Sequence, residues 1–533
     1  MTLKLARGVA TLLAAAVVVA GCGGSSSNDS AGSTGAGGSG GTPAAFDAEA
    51  TVRTAVFGDG VGGMDPEIWY DLNGGSLHTA VYEGLLRYKT GTTEIEPALA
   101  ETYEASRDGR TYTFRIRQGV RFHDGTPLTP EAVVGSFERR AALRGPSAYL
   151  TAGVVDVEAR GSDTVVIRLR GPEIGFLDAL ASIYGPRVIS PAALRAHGAG
   201  EDGKRWFASN AVGTGPLRLL SFRLGDGATL ERFDGYWGEP AKAKRYEVDT
   251  LPSSGEQQLQ LRSGQLDYLS GGSLQPAQLQ AFEGNPRYEV TRLDQAFRPM
   301  LVLNTNKPPF DDVEKRKAFV AALDVDAAIR QVWGDELMEA PTSYISPFLL
   351  DPALNRIEPL ASDAALDEPI TFEYVGAIQS HRQFSEVIQQ QLRDEGVELR
   401  LSATTGGEVF SWPQDLQKAP NAAIVTVYGD SAYVQSLVEP FFRTGSAVNF
   451  LGYSNRTVDA TLDEAAVETD RDKALQLFAD ANRIVAVDDA SIIPLGDLKQ
   501  PIVARRGVSG FQGTPTSIDV VQLAAIGKSA DAR

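Results

Sequence analysis

Cysteine is almost absent from this chain. Among its 533 residues there is one, Cys22. A single thiol cannot form a disulfide within the chain, a CxxC redox motif or a cysteine-based zinc site. Those three kinds of site are excluded, and the position of the one cysteine becomes informative.

Histidine is also scarce, which limits the catalytic chemistry that the chain can offer. The four histidines are His78, His123, His197 and His381, and neither an HExxH nor an SxxK motif is present. His123 stands beside Asp124, but an acid–base pair needs a nucleophile or a metal, and no partner motif accompanies it. A tight His-Asp-Gly turn is therefore the favoured interpretation. We expect no catalytic residue, metal or cofactor, although sequence alone leaves a pair of glycosidase carboxylates open.

Basic residues are fewer than acidic residues, with 50 Lys and Arg against 68 Asp and Glu. The formal net charge is −18 and the isoelectric point is about 4.8, which disfavours nucleic acid and anionic lipid as partners. Hydrophobic residues make up 43% and charged residues 22%, as in ordinary globular proteins. A chain of this length is too long for a single core and predicts several domain-sized units.

No hydrophobic run is long enough to remain as a membrane span. The apolar stretch at residues 9–20 follows Lys4 and Arg7 and ends in small residues. A basic start, a short apolar segment and small terminal residues predict a secretory signal peptide at 1–21. Residues 19–22, Val-Ala-Gly-Cys, resemble a bacterial lipobox, which implies cleavage before Cys22 and lipid attachment to its sulfur. An ordinary signal peptide followed by a chance cysteine is the alternative.

The segment after Cys22 is rich in glycine and serine. Residues 23–41 contain only Gly, Ser, Ala, Thr, Asn and Asp, a composition that cannot bury apolar surface. We interpret residues 22–48 as a flexible tether with a reach of roughly 25 Å.

A glycine-rich segment at 58–63 satisfies the spacing GxGxxG after a predicted strand at 51–57. A dinucleotide site also needs a long helix that opens at the glycines. Met64-Asp65-Pro66 intervenes instead, so a turn near a cleft is favoured, with Gly58 and Asp59 as candidate ligand contacts.

The stretch at residues 297–323 organises the chain. Residues 300–303 predict a strand, and turn-forming residues stop it. A helix is predicted to begin at Asp311 or Asp312, where Asp311 and Glu314 have capping-box spacing. The segments before and after this unit read as separate α/β bodies, so we place a crossing between two lobes here.

The first body carries strand patterns and one clear helix start. Residues 112–116 alternate, Gly119 permits a turn, and Val120 and Phe122 are predicted to continue as a second strand. Further strands are predicted at 154–157 and 164–169. Thr129 followed by a proline predicts the start of a helix.

The second body has a strand–helix–strand order. Strands are predicted at 370–374 and 397–401, with a helix at 381–395 between them that ends at Gly396. Such a unit normally places its two strands parallel. A further helix is predicted near 408–418, and a buried strand at 422–427.

Several of these segments resemble the family 5 solute-binding proteins, which include oligopeptide- and dipeptide-binding receptors of ABC importers. The matching segments, in chain order, are 64–66, 108–128, 212–216, 233–237, 264–268, 304–312, 449–455 and 488–495. The resemblance spans roughly residues 50–523 in colinear order. It implies an α/β, two-lobed periplasmic-binding-protein-like fold (type II, cluster C) with an extra subdomain and a ligand cleft between the lobes.

The resemblance also implies a division of the chain. Lobe I would comprise 49–81, 206–297 and 495–527, the extra subdomain 82–205, and lobe II 298–494.

The strand at 422–427 runs into Tyr428-Gly429-Asp430, and ligands of open α/β sheets sit beyond such strand ends. In the family, an aspartate here pairs with the α-amino group of peptide ligands; Asp430 matches it, and Tyr428 stands where tryptophan is usual. From the residues alone, Asp430 could instead cap a helix at 431–438, and both roles can coexist. Trp412 is a further candidate ligand contact, although a place in the core is favoured for it.

The resemblance implies an extracytoplasmic receptor, anchored to the cell membrane by lipid and acting as a monomer. It would capture a small solute, with a peptide favoured, by hinge closure and deliver it to ABC permease subunits. The alternatives are a nickel complex, haem or an oligosaccharide as ligand, a sensor without transport, and an extracytoplasmic hydrolase.

Overall fold

The computed structural model describes residues 45–58, 60–198, 200–271, 274 and 276–532. The predicted signal peptide, Cys22, the tether up to residue 44 and Asp59 lie outside the described residues. No helix in the described ranges is both long and apolar enough to cross a membrane.

Strands occur along the whole of the described chain. In chain order they are β1 (Thr51–Val56), β2 (Leu86–Tyr88), β3 (Ile95–Pro97), β4 (Ala100–Ala105), β5 (Thr111–Ile116), β6 (Val154–Arg160), β7 (Thr164–Leu169), β8 (Leu217–Arg223), β9 (Gly227–Arg232), β10 (Arg245–Thr250), β11 (Tyr268–Ser270), β12 (Tyr288–Leu293), β13 (Arg298–Leu303), β14 (Ile370–Val375), β15 (Leu399–Thr404), β16 (Ala422–Val427), β17 (Ile492–Pro494), β18 (Gln500–Arg505), β19 (Val508–Ser509) and β20 (Gly527–Lys528).

Helices alternate with the strands, most of all in the second half. They are α1 (Gly75–Val81), α2 (Pro130–Leu143), α3 (Phe176–Ala181), α4 (Pro191–His197), α5 (Glu201–Phe207), α6 (Ser254–Ser263), α7 (Pro276–Leu279), α8 (Val313–Ala321), α9 (Val325–Val332), α10 (Gln379–Asp394), α11 (Gly406–Val409), α12 (Gln435–Phe442), α13 (Arg456–Val467) and α14 (Arg471–Arg483).

Lobe II is built on a mixed sheet in the order β15-β14-β16-β13-β17. The predicted strand–helix–strand unit is confirmed, since β14 and β15 pair in parallel and α10 connects them. β14 also pairs in parallel with β16, while β13 runs antiparallel to β16. The central β16 is apolar along almost its whole length because both of its faces are covered.

Lobe I contains one sheet in the order β1-β10-β9-β8 and another in the order β11-β18-β12. The chain leaves this lobe between β12 and β13 and returns between β17 and β18. A bidentate ion pair joins the two crossings: Arg298 Nε and Nη2 donate to Asp497 at 3.0 and 2.9 Å. Both side chains are largely buried, which fixes the crossings side by side.

The strand and the helix predicted within residues 297–323 both form. β13 ends at Leu303 and α8 begins at Val313. The cap is Asp312, whose carboxylate accepts from the backbone N–H of Glu314 at 2.8 Å. The capping box predicted from Asp311 and Glu314 is therefore wrong, whereas a helix start at Asp312 is confirmed.

The segment 82–205 carries its own sheet, in the order β4-β5-β7-β6. Its core includes Phe114, Phe122 and Val165. The predicted second strand at 120–122 is wrong: these residues lie between two turns and make a single bridge, between Arg121 and Pro127. Val120 and Phe122 are buried without being in a sheet, which a periodicity argument cannot distinguish from a strand.

The helix predicted near 408–418 is also wrong. Two short pieces replace it, α11 and a 3-10 turn at Trp412–Gln414. Pro413 lacks the N–H that a continuous helix would need, so the chain turns there. The residue bounds of lobes and subdomain stay a prediction, which the grouping of strands into sheets supports.

Candidate functional site

The loop 428–433 lies at one edge of the lobe II sheet. It follows β16 directly, and because β14 and β16 are parallel their carboxyl ends meet at this edge. The loop faces residues of lobe I and of segment 82–205. Asp430 is at its centre and only 8% exposed.

Two tyrosines from the other side hold the Asp430 carboxylate. Tyr70 donates its hydroxyl to Asp430 Oδ2 at 2.6 Å, and Tyr149 donates to the same oxygen. The Oδ1 atom receives no hydrogen bond from any described residue, yet it is not fully enclosed. One carboxylate oxygen is therefore occupied, and the other is available to a ligand.

Burial and the tyrosines act on the Asp430 carboxylate in opposite directions. Burial raises the pKa of Asp430, and the hydrogen bonds from Tyr149 and Tyr70 lower it without cancelling the rise. Burial and the adjacent carboxylate raise the pKa values of both tyrosines far above neutrality. The tyrosines therefore remain protonated donors, and an arriving cation would compensate the buried carboxylate.

The main chain of the loop is also bound across the interface. Ser182 donates its hydroxyl to the Asp430 carbonyl, and the Ala432 N–H donates to Tyr88 Oη at 2.8 Å. A Cβ at Gly429 would collide with Ser436 Oγ. The loop thus needs glycine at that position to keep its path.

The alternative role of Asp430 as a helix cap is wrong. The helix that follows, α12, begins at Gln435, and its cap position is Val434. Residues 431–434 instead form turns in which Ser436 Oγ donates to the Ser431 carbonyl at 2.9 Å. The Asp430 carboxylate is left free to face the opposite lobe.

The other candidate contacts have different positions. Tyr428 is half-buried, its ring lies 5.7 Å from that of Phe297, and burial raises its pKa to about 12. Gly58 follows β1 with φ of +76° and has open space where a Cβ would point. Trp412 is 8% exposed and packs in the lobe II core.

Sequence reasoning did not identify Tyr70, Tyr149 or Ser182. Tyr70 also packs against the ring of Tyr184, with centroids 4.9 Å apart. None of these residues belongs to a recognisable motif. Their only shared signal is a side-chain hydroxyl outside the strands and α-helices, and Tyr149 lies in a 3-10 helix at Pro146–Thr151.

A second contact joins α14 of lobe II to α3 of segment 82–205. Arg471 Nη1 lies 3.3 Å from Asp178 Oδ2, and Asp178 is almost completely buried. The same guanidinium lies 4.9 Å from the ring centroid of Tyr433. This contact is adjacent to the Asp430 loop but does not use its carboxylate.

The buried histidines have other roles. His123 hydrogen-bonds through Nε2 to the Gly215 carbonyl at 3.0 Å, and burial lowers its pKa to about 4. Burial also lowers the pKa of His381 to about 4. Within the described residues, no three His, Cys, Asp or Glu side chains converge as metal ligands.

Comparison with curated proteins gives relatives across most of the chain. A probable D,D-dipeptide-binding periplasmic protein of Escherichia coli K12 is 26% identical over 488 residues, covering 87% of this chain and 92% of its own length. The nickel-binding periplasmic protein of the same organism is 24% identical, covering 86% and 91%. A glutathione-binding protein of Pectobacterium atrosepticum is 27% identical, covering 80% and 84%.

Solved structures share the fold. An ABC transporter-associated periplasmic binding protein of Helicobacter pylori, in complex with the peptide STSA, superposes with a TM-score of 0.73 at 22% identity, covering 91% of this chain and 99% of that one. NikA of Brucella suis in complex with Fe(III)-EDTA gives 0.79 at 22% identity, covering 90% and 100%. The predicted two-lobed architecture is confirmed.

A sequence model described as "Bacterial extracellular solute-binding proteins, family 5 Middle" matches residues 94–449. The match covers most of the chain, and it extends from segment 82–205 through β16 to the loop that carries Asp430. The chain belongs to the family 5 bacterial extracellular solute-binding proteins.

Proposed function

We propose that this protein captures a small solute bearing a protonated amine, most simply a short peptide, and delivers it to an ABC permease. The observation that carries the proposal is the Asp430 carboxylate, buried at the lobe interface with Oδ1 available. An ammonium donor at Oδ1 would complete a charge-assisted hydrogen bond, roughly twice as strong as a neutral one.

Closure of the lobes is the proposed mechanism. The Asp430 loop belongs to lobe II, whereas Tyr70 and Tyr149 belong to lobe I and segment 82–205. A solute held between these groups binds the closed form better than the open form, and it shifts the population by that difference in affinity. The permease would then recognise the closed arrangement.

A lipid on Cys22 is the proposed anchor, after removal of residues 1–21 on the extracytoplasmic face. Support comes from the basic start, the short apolar segment and the single cysteine directly after Ala-Gly. We expect the expressed chain to incorporate labelled palmitate and the Cys22→Ala variant not to incorporate it.

The choice of a peptide rests on chemistry and on the names of the relatives. Curated relatives are named for D,D-dipeptides, dipeptides, nickel, haem and glutathione, so family membership alone does not select a ligand. Asp430 favours an ammonium group over a neutral sugar. We therefore favour a peptide with a free amino terminus.

Titration calorimetry with ligand-free protein tests the proposal. We expect short peptides to bind, and the same peptides with acetylated amino termini to bind at least tenfold more weakly. Asp430→Asn should lower the affinity for the free-amine peptides by a similar factor, because a buried ammonium would lose its counter-ion.

Asp326→Asn is the matched control, since Asp326 is exposed on α9 in the same lobe. It should bind peptides as the unaltered protein does. Equal affinity for free and acetylated peptides would contradict the proposal. Mass spectrometry should recover every bound peptide uncleaved, as expected of a receptor and not of a hydrolase.

A further inference from the structure

A second cavity lies away from Asp430, between lobe I and segment 82–205. Its volume is about 650 Å³, within the range of small-molecule sites. Its walls come from α1 and the chain after it, from residues 181–187, from 236–242 and from 510–525. Neither Asp430 nor either tyrosine bound to it lines this cavity.

Arg187 brings a buried positive charge to the cavity wall. The residue is only 5% exposed. Its Nη2 donates to the Ser182 carbonyl, while Nε has no partner and Nη1 makes no hydrogen bond with a described residue. Arg187 forms no ion pair with a described carboxylate, although the charges of Glu67 and Glu83 act on it from farther away. The nearby Arg140 cannot help, because it is already paired with Glu67 and adds a second positive charge.

The other charged groups of the cavity wall already have partners. Arg87 pairs with Glu96 at 2.7 Å, and Lys242 pairs with Glu239. The Glu83 carboxylate accepts from Thr214, Tyr236 and Trp237 at 2.8–2.9 Å. Burial raises the pKa of Glu83, and the three hydrogen bonds lower it without cancelling the rise.

The rest of the wall combines aromatic and small polar groups. Phe46, Tyr236 and Trp237 offer ring surface, and Ile183 and Val520 add aliphatic surface. A flat apolar body would find contacts here that water cannot supply. The Arg187 guanidinium, in turn, has donors without a hydrogen-bond partner among the described residues and the fork geometry that a carboxylate matches.

We propose that this cavity is a second binding site, for a small organic carboxylate with an aromatic body, whose carboxylate pairs with Arg187. The site is separate from the amine-binding site at Asp430, although Ser182 connects them, because it accepts from Arg187 and donates to the Asp430 carbonyl. Because the cavity lies between lobe I and segment 82–205, its ligand would fix the position of the segment that supplies Tyr149 and Asp178.

Calorimetry on the whole chain with three acids tests the site: benzoate, 3-phenylpropionate and indole-3-acetate, each compared with its uncharged amide. We expect at least one acid to bind about tenfold more tightly than its amide. Arg187→Met should remove this preference, and Arg187→Lys should keep part of it.

A second variant covers the case in which Arg187→Met does not fold. Ala524 is partly exposed and lines the cavity, so Ala524→Phe should fill the space and abolish binding of the acid. Ala141→Phe, on the exposed face of α2, is the control and should leave binding unchanged. No binding by any acid at millimolar concentration, equal binding of acid and amide, or binding that survives Ala524→Phe would overturn the proposal.

Discussion

At the scale of single residues, the arrangement of donors around Asp430 would restrict which ligands the proposed site can bind. Tyr70 and Tyr149 both donate to Oδ2, and only Oδ1 remains available. An ammonium group needs one acceptor atom, whereas a guanidinium group prefers both oxygens of a carboxylate. The tyrosines should therefore act as specificity-determining residues that favour amines over guanidines.

The first prediction concerns this selection. A peptide whose amino terminus is converted to a guanidine should bind about tenfold more weakly than the parent peptide. The double variant Tyr70→Phe/Tyr149→Phe frees Oδ2 and should reduce the difference. Calorimetry measures the dissociation constants of the two peptides. If their ratio is the same in the double variant as in the unaltered chain, the tyrosine hydroxyls do not select amines over guanidines.

The second prediction concerns pH. Binding of an ammonium ligand requires the charged carboxylate, and burial raises the pKa of Asp430. Affinity should therefore be complete above that raised pKa and should fall as the pH decreases through it. In Tyr70→Phe/Tyr149→Phe the pKa should be higher still, so affinity should fall at a higher pH than in the unaltered chain. Dissociation constants measured from pH 4 to pH 8 for both proteins test this prediction. Identical pH profiles for the unaltered chain and the double variant would contradict it.

Local patterns in the sequence predicted one half of this site and not the other. The buried run of β16 ends at Val427, so the position of Asp430 at a strand end could be predicted. Its hydrogen-bond donors come from positions 360 and 281 residues away along the chain. Nothing in the periodicity of one segment indicates which distant loop will face it.

At the scale of elements, α3 and α14 form a clasp that does not depend on the ligand. Asp178 in α3 is almost fully buried, and Arg471 of α14 is its ion-pair partner. Tyr433 packs against Gly175, where a Cβ would collide with the ring. These contacts need segment 82–205 to meet lobe II, so in the proposed closure they would add to the stability of the closed form.

The third prediction follows from this clasp. Arg471→Gln should destabilise the closed form by about 1 kcal/mol, because half of the Arg471 side chain is exposed and solvent screens the pair. The apparent dissociation constant should rise roughly fivefold, and by the same factor for every ligand.

Arg400→Gln is the control, since Arg400 pairs with Glu398 on the exposed surface of lobe II. Its binding should match that of the unaltered chain. A loss in Arg471→Gln that differed between ligands would assign Arg471 to the ligand contacts instead.

Element prediction succeeded where a pattern repeats and failed where one residue interrupts it. The strand–helix–strand unit of β14, α10 and β15 was predicted within a few residues, because periods of 2 and 3.6 are distinct there. The helix predicted near 408–418 was wrong because Pro413 interrupts it. Val120 and Phe122 are buried by tertiary packing outside any sheet, which alternation cannot reveal.

At the scale of the whole molecule, two crossings connect the lobes and an ion pair holds the crossings together. Arg298 and Asp497 tie them, and Arg298 Nη1 also donates to the Ser343 carbonyl at 2.6 Å. In the proposed closure, one lobe would rotate on the other about this pair of crossings. The interface that opens would contain Asp430, its tyrosines and the clasp.

The most direct test of the account is small-angle X-ray scattering of ligand-free protein, with and without a peptide that calorimetry shows to bind. We expect the radius of gyration to decrease when the free-amine peptide is added, and the same decrease to need at least tenfold more peptide when the peptide is acetylated or the protein is the Asp430→Asn variant. A radius of gyration that stays constant while the peptide binds would contradict closure of two lobes around an amine-bearing solute.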